Sequence, residues 1–231
     1  MVTVVDGDTV LLDRQLQGSA QVRLVGIQAP KLPLGRKNFS KWPLADRSRL
    51  ALEKRLLGQT VNLKFGGRRI DRHGRLLAHL YLDNGDWVQG EMLRDGMARV
   101  YSFADNRALI GQMLALEGAA RQARRGIWAE PFYRVRNADS LEGLFGTFQV
   151  IEGTVRDAQT VRKMTYLNFS DDWRTDFTIS ITRRALKSFA ALGLDPLTLK
   201  GRKVRVRGWI KKRNGPLIEA SHPEQIEIID K

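Results

Sequence analysis

Cysteine is absent from this 231-residue sequence. That excludes a disulfide framework, a thiol nucleophile and any cysteine-ligated zinc. Histidine is scarce: His73, His79 and His222 are the only three, too few for a histidine-rich metal site. No apolar run approaches the ~18 residues of a membrane-spanning helix. The opening lacks the charged, apolar and small-residue succession of a signal peptide. Val2-Thr3-Val4-Val5 instead reads as strand from the outset. So abrupt a start leads us to expect that a natural segment was removed ahead of Met1, which favours a periplasmic or secreted protein.

Acids are in deficit. The 25 Asp and Glu face 39 Lys and Arg, for a formal charge of +14 and a pI near 10.5. The excess runs along the whole chain, +9 over residues 1–140 and +5 over 141–231. It is the electrostatic footprint of a phosphate-backbone binder, DNA or RNA. It also suits solubility or attraction to another anionic surface.

Periodicity divides the chain. Residues 2–12 alternate as a strand broken at Asp6-Gly7-Asp8, a tight-turn signal. Residues 20–28 and 60–65 read as further strands, and Asn84-Gly85 as a hairpin turn ahead of a short helix near Trp87. A helix is expected over 44–57, carrying Leu50, Leu52, Leu56 and Leu57 and closed by Gly58. Another starts at Asn106 as N-cap and stops at Gly126. The expected organisation is an α+β domain over 1–133, a linker over 134–147 and a small β domain over 148–231. In the last, the order strand-strand-strand-helix-strand-strand is that of an OB-type barrel.

Certain residues point to chemistry. Two acids spaced i, i+2 in a turn, Asp6 and Asp8, can converge on a hard cation such as Ca²⁺. Arg23 lies mid-strand among apolar neighbours, where an arginine must pair or face a cleft. Asp71, Arg72, His73 and Arg75 surround a glycine turn. Taken singly, each is compatible with an ordinary turn or a solvated hairpin.

Four stretches in order, "VVDGDTV", "VRLVGIQAPK", "DRHGRLLAHLY" and "MLRDGMARVY", with the 44–57 helix between the second and third, make residues 2–130 resemble the staphylococcal nuclease-like family. The resemblance implies a five-stranded barrel related to the OB-fold and packed with helices. It also implies Ca²⁺-assisted attack of water on a phosphodiester. On that basis Asp8 matches a calcium-ligating aspartate, and Arg23 and Arg75 match the two arginines that stabilise phosphate. Tyr101 and Phe103 fall where family members set tyrosines against the nucleotide.

The departures are as informative. Where active members run Asp, Thr, Pro, Glu, this chain reads Gln28, Ala29, Pro30, Lys31. An amide replaces a metal-ligating carboxylate, and an ammonium, which has no lone pair for a proton, replaces the base. Phosphate-holding charge is retained in Arg23, Arg72 and Arg75 and increased by Lys31, Arg36, Lys37 and Lys41. The leading expectation is a nucleic-acid-binding protein, weak or inactive as a nuclease, with Ca²⁺ bound only if Asp8, Asp6 and Gln28 still form a metal site. A second is an active metal-dependent nuclease in which Asp6, Asp71 or His73 supplies the missing ligand or base. A third is an exported domain binding an acidic partner. In the OB-like domain, Tyr166, Phe169, Trp173, Phe177 and Trp209 are stacking candidates, with Arg205, Arg207, Lys211, Lys212 and Arg213 for phosphate. Alternation sends about half of such aromatics into the core instead. Oligomeric state has no signature in the sequence.

Overall fold

A computed structural model describes residues 2–172 and 175–230. Trp173, one of the stacking candidates, lies outside the described residues. The chain divides into two compact units, Met1–Tyr133 and Arg134–Lys231. Both are of mixed composition, with four α-helices and several sheets among the described residues. No helix described is long and apolar enough to cross a membrane.

In the first unit the strands are β1 (Val2–Asp6), β2 (Thr9–Leu16), β3 (Ser19–Leu24), β4 (Gly26–Gln28), β5 (Val61–Lys64), β6 (Leu76–Leu82) and β7 (Arg99–Tyr101). The helices are α1 (Ala45–Leu56), α2 (Val88–Arg94) and α3 (Ile110–Gln122). A five-stranded sheet runs β1-β2-β3-β6-β5, parallel only between β3 and β6. β4 pairs separately with β7. The strand expected over 20–28 breaks at Val25, just ahead of Gly26, whose φ of 83° lies in the left-handed region. A Cβ there would stand 2.5 Å from Met113 Sδ, so α3 also requires the glycine. Val10, Val22, Leu24, Leu52, Leu76 and Leu80 make the core between sheet and helices.

Three details refine the helix expectations. On α1 the stripe facing the core is Ser48, Leu52 and Leu56, whereas Leu50 and Leu57 face solvent. The 3.6-residue period places 48, 52 and 56 on one face and turns 50 away. Asn106 is not a helix cap: its Nδ2 donates to Arg68 O at 3.0 Å, and α3 begins after Leu109. Gly126 likewise opens a short 3-10 turn, after α3 has ended at Gln122.

The second unit contains β8 (Arg136–Asn137), β9 (Phe148–Thr154), β10 (Asp157–Val161), β11 (Met164–Asn168), β12 (Thr178–Thr182), α4 (Arg183–Ala190), β13 (Lys203–Trp209), β14 (Lys211–Arg213), β15 (Gly215–Glu219) and β16 (Ile226–Ile228). One sheet runs β10-β11-β12-β15-β14 and another β16-β13-β9-β8. Ile151, Leu167, Ile179, Phe189, Val204 and Ile218 share the core. Thr182 caps α4, its Oγ1 accepting from Ala185 N. The stretch expected as a linker is built into this unit: β8 pairs with β9, and Leu141 is buried. Among the described residues the strand pairs of both units form open sheets; no closed barrel is found, because the edge strands do not pair with one another.

Candidate functional site

The Asp6-Gly7-Asp8 turn joins β1 to β2 and is pressed against α1. A Cβ on Gly7 would stand 2.0 Å from Ser48 Oγ and 2.7 Å from Ala29 Cβ, so only glycine lets the turn approach so closely. Both carboxylates are thereby buried, Asp8 completely. A buried carboxylate must be paired, and Asp8 is paired several times over. Lys31 Nζ donates to both of its oxygens at 2.7 Å. Ala29 N donates to Oδ2 at 2.7 Å, and Arg23 Nη2 lies 3.2 Å from the same oxygen. Lys31 Nζ also reaches Asp6 Oδ2 at 3.4 Å, while Asp6 Oδ1 accepts from Asp8 N.

The two acids respond in opposite directions. Burial pulls the Asp8 carboxyl upward most, but the Arg23 and Lys31 charges and the hydrogen bonds from Lys31 and Ala29 outweigh it, holding the group well below the ordinary carboxylate range. At Asp6 burial, and then the Asp8 charge, win over Lys31 and raise it.

Two carboxylates and two cations make this knot formally neutral. Its donor set does not fit a divalent cation as it stands. A Ca²⁺ at about 2.3–2.6 Å from the Asp8 oxygens would overlap the Lys31 ammonium, which already holds that position with the same sign of charge.

Arg23 is not aimed outward. Beyond Asp8, its Nη1 donates to Asp8 O and Leu24 O and its Nη2 to Ile27 O at 2.6 Å. Its side chain is 12% exposed. Gln28 turns to a different cluster: its Oε1 accepts from Arg99 Nε at 2.9 Å and Nη2 at 2.7 Å. Arg99 is buried, with its guanidinium 5.8 Å from the Trp42 and Tyr133 ring centroids. Arg99, at the start of β7 between Ala98 and Val100, was not among the expected site residues, although like Arg23 it is an arginine between apolar strand neighbours.

The remaining candidates lie apart from the knot's hydrogen bonds. Arg75 is held by Asp71, whose Oδ2 accepts from its Nε at 2.8 Å and lies 2.7 Å from Nη2. Asp71 also accepts from His73 N, and its pKa is lowered because the hydrogen bonds from Arg75 and His73 outweigh desolvation. Arg72 Nε donates to His73 Nε2 at 3.1 Å. Arg36 folds onto its own loop, donating to Pro33 O and Leu32 O with its guanidinium 3.6 Å over Phe39. Lys37 is exposed. Lys41 pairs with Asp46. Tyr101 and Phe103 meet edge to face at 4.8 Å, with Phe103 half exposed.

In the second unit the candidates sort by face. Phe169 and Phe177 pack on each other in the core. Arg205 pairs with Glu152 and Glu227, and buried Arg207 with Glu227. Lys211 pairs with Glu219, and Lys212 lies 5.8 Å from the Phe145 ring. Tyr166 and Arg213 share a cleft of about 390 Å³ with Gln159, Asn168 and Thr178. Trp209 is exposed.

Comparison with known proteins matches residues 21–130 to the family described as staphylococcal nuclease homologue. An uncharacterized endonuclease of Escherichia coli is 30% identical over 131 residues, 56% of this chain and 76% of that protein. A thermonuclease of Staphylococcus hyicus is 24% identical over 130 residues, 56% and 74% of the two chains. Endonuclease YhcR of Bacillus subtilis is 30% identical over 138 residues, 55% of this chain, which spans only 11% of that much longer protein.

Proposed function

Since the chain belongs to the staphylococcal nuclease homologue family, we propose that it binds nucleic acid through a nuclease-like unit whose hydrolytic centre has given way to an internal ion knot. The observation that carries this reading is the Lys31 ammonium, 2.7 Å from both oxygens of Asp8 and within 3.4 Å of Asp6. An ammonium so placed supplies the positive charge that two buried carboxylates need. It offers neither a Lewis acid with open positions nor a proton acceptor. Loss of a general base alone removes about 10²–10⁴-fold in rate.

Binding then falls to groups around the knot. Arg23 and Lys31 are matched by Asp8 and Asp6, so they add little net field. Lys37, Arg72 and Arg75, with Tyr101 and Phe103 as a stacking surface, are the groups that would meet a strand. The second unit supports the same reading. Its order of elements is OB-like, and Tyr166 beside Arg213 in one cleft joins a ring to a cation, the pairing by which such folds hold single strands.

A second reading, an active nuclease with a rearranged centre, is favoured by the relatives named endonuclease and thermonuclease. Its replacement groups each have a partner already: Asp6 in the knot, Asp71 on Arg75, and His73 beside Arg72. The two readings separate in one assay. Single- and double-stranded DNA and RNA are incubated with the protein in Ca²⁺, Mg²⁺, Mn²⁺ or EDTA, and binding and cleavage are scored together. Binding without metal-dependent cleavage is expected. Cleavage that persists through purification and disappears in a folded Asp8→Asn variant would establish the active enzyme instead.

A further inference from the structure

A cleft of about 400 Å³ lies in the second unit where β8 meets β9. Its lining includes Arg136 from β8, Arg156 after β9 and Lys203 at the start of β13. Among the described residues none of these three side chains has an acidic partner. Arg136 is half-buried, and its Nε is shut off from solvent with no hydrogen-bond acceptor. A buried N–H in that state costs free energy unless something fills the acceptor position. Burial, and then the charge of Arg134, pull the Arg136 guanidinium downward, so an anion beside it would be doubly favoured.

The rest of the lining agrees. Glu152 is turned to Arg205, which contacts its Oε1 at 2.8 Å through Nε and 2.6 Å through Nη2. That leaves Asp139, exposed, as the other carboxylate of the lining against three cations. The floor is solid: a Cβ on Gly153 would stand 2.6 Å from Phe169 and 2.8 Å from Ala138. The exposed hydroxyl of Thr154 and amide of Asn137 add neutral donors. The volume is that of a small-ligand site.

We propose that this cleft is a phosphate-group site, with Arg136 as its half-buried fork and Arg156 and Lys203 as its exposed cations. A planar guanidinium edge matches two phosphate oxygens, and flexible cations can close on the remainder. The phosphate comes either from a nucleic-acid backbone or from a free nucleotide or inorganic phosphate. The inference rests on the second unit's own geometry and stands whether or not the first unit cleaves.

The test uses the full chain. Affinity for a labelled single-stranded oligonucleotide is measured by anisotropy, and for inorganic phosphate and pyrophosphate by calorimetry. Arg136→Ala and Lys203→Ala should each weaken binding about ten- to a hundred-fold, the size of a lost charged hydrogen bond. Arg136→Lys should recover part of the loss. Arg184→Ala removes an equal charge from α4, outside the cleft, and should change affinity less than about two-fold. A response to phosphate alone identifies a free anion as sufficient; a response confined to the oligonucleotide identifies the backbone. Should Arg136→Ala fail to fold, exposed Lys203 and Arg156 carry the test. The proposal is overturned if folded cleft variants bind every probe as the parent does, or if Arg184→Ala loses as much as they do. Cleavage by the first unit is scored separately, so the two readings fail independently.

Discussion

Arg23 and Lys31 in the first unit converge on two buried aspartates, whereas Arg136, Arg156 and Lys203 in the second line a cleft and, among the described residues, pair with no acid. Net charge counts all five alike. Their surroundings do not. The first pair compensates Asp8, a fully buried carboxylate, and its field is largely cancelled within a few ångströms. The second set leaves its charge available to a ligand. A composition of +14 therefore favours anionic partners without locating any surface that would meet one.

The largest expected effect comes from breaking the knot. Asp8→Ala leaves Arg23 and Lys31 without their carboxylate, and the first unit should lose about 3–5 kcal/mol in denaturant unfolding. Arg23→Ala should act in the same way, lowering stability more than affinity. If Asp8→Ala melts like the parent, the pair is not structural and the contrast with the second unit collapses.

Acid separates the units further. Burial holds His79 down at about 4, and its Nδ1 accepts from Trp87 Nε1. Below about pH 6.5 the unfolded chain takes up a proton that the folded chain refuses until near pH 4. Stability of the first unit should therefore fall across that window as pH drops, by on the order of 3 kcal/mol. Asp8, with its folded pKa depressed, contributes stability above about pH 4 that is lost as pH falls further. Asp6, with its pKa raised, opposes this in part. His79→Gln should flatten the slope between pH 6.5 and 4, as read by hydrogen exchange resolved by unit. An unchanged slope would assign it to other groups.

Reversing the charge at Lys31 sharpens the comparison. Lys31→Glu sets three acids around one point, with Arg23 as their remaining cation. Millimolar Ca²⁺ should then raise the first unit's melting temperature, by about 2–3 kcal/mol in stability at a hundred times the dissociation constant. The parent protein should not respond. Adding Gln28→Asp should contribute little, because Arg99 would hold the new carboxylate as it holds the amide. Ca²⁺ stabilising the parent equally would mean that Lys31 yields its place.

The smallest effect is expected at Arg75. It is partly exposed and anchored by Asp71, so Arg75→Ala should weaken nucleic-acid binding by about 1–2 kcal/mol and barely change stability. A variant that unfolds instead would make Arg75 a second structural cation, like Arg23.

Much of the architecture was legible because it depends on local rules. The turn at Asp6-Gly7-Asp8, the closure of α1 at Gly58 and the Asn84-Gly85 turn follow from backbone preferences of those residues. The misreadings had physical causes. Asn106 has a good capping side chain, but Arg68 O, 38 residues away, offered the better acceptor position. Residues 134–147 lack periodicity, yet β8 needs only two residues to pair with β9. Phe169 directly follows β11 and Arg207 alternates with core residues Val204 and Val206, but neither position reveals burial on its own, and both side chains are buried, Arg207 against Glu227.

The sequence by itself determined the family, through four ordered motifs, and set Gln28 and Lys31 where the family resemblance implies two acids. It also set a net charge of +14, which favours anionic partners. Tertiary structure alone decided where these side chains point: Lys31 onto Asp8 across 23 residues, Gln28 onto Arg99 across 71, and Arg23 back onto the Leu24 and Ile27 carbonyls beside it. Residue type sets what a side chain can bond. Its partner depends on which distant segment the fold brings within about 3 Å and on how little water remains there, and neither is encoded in local spacing.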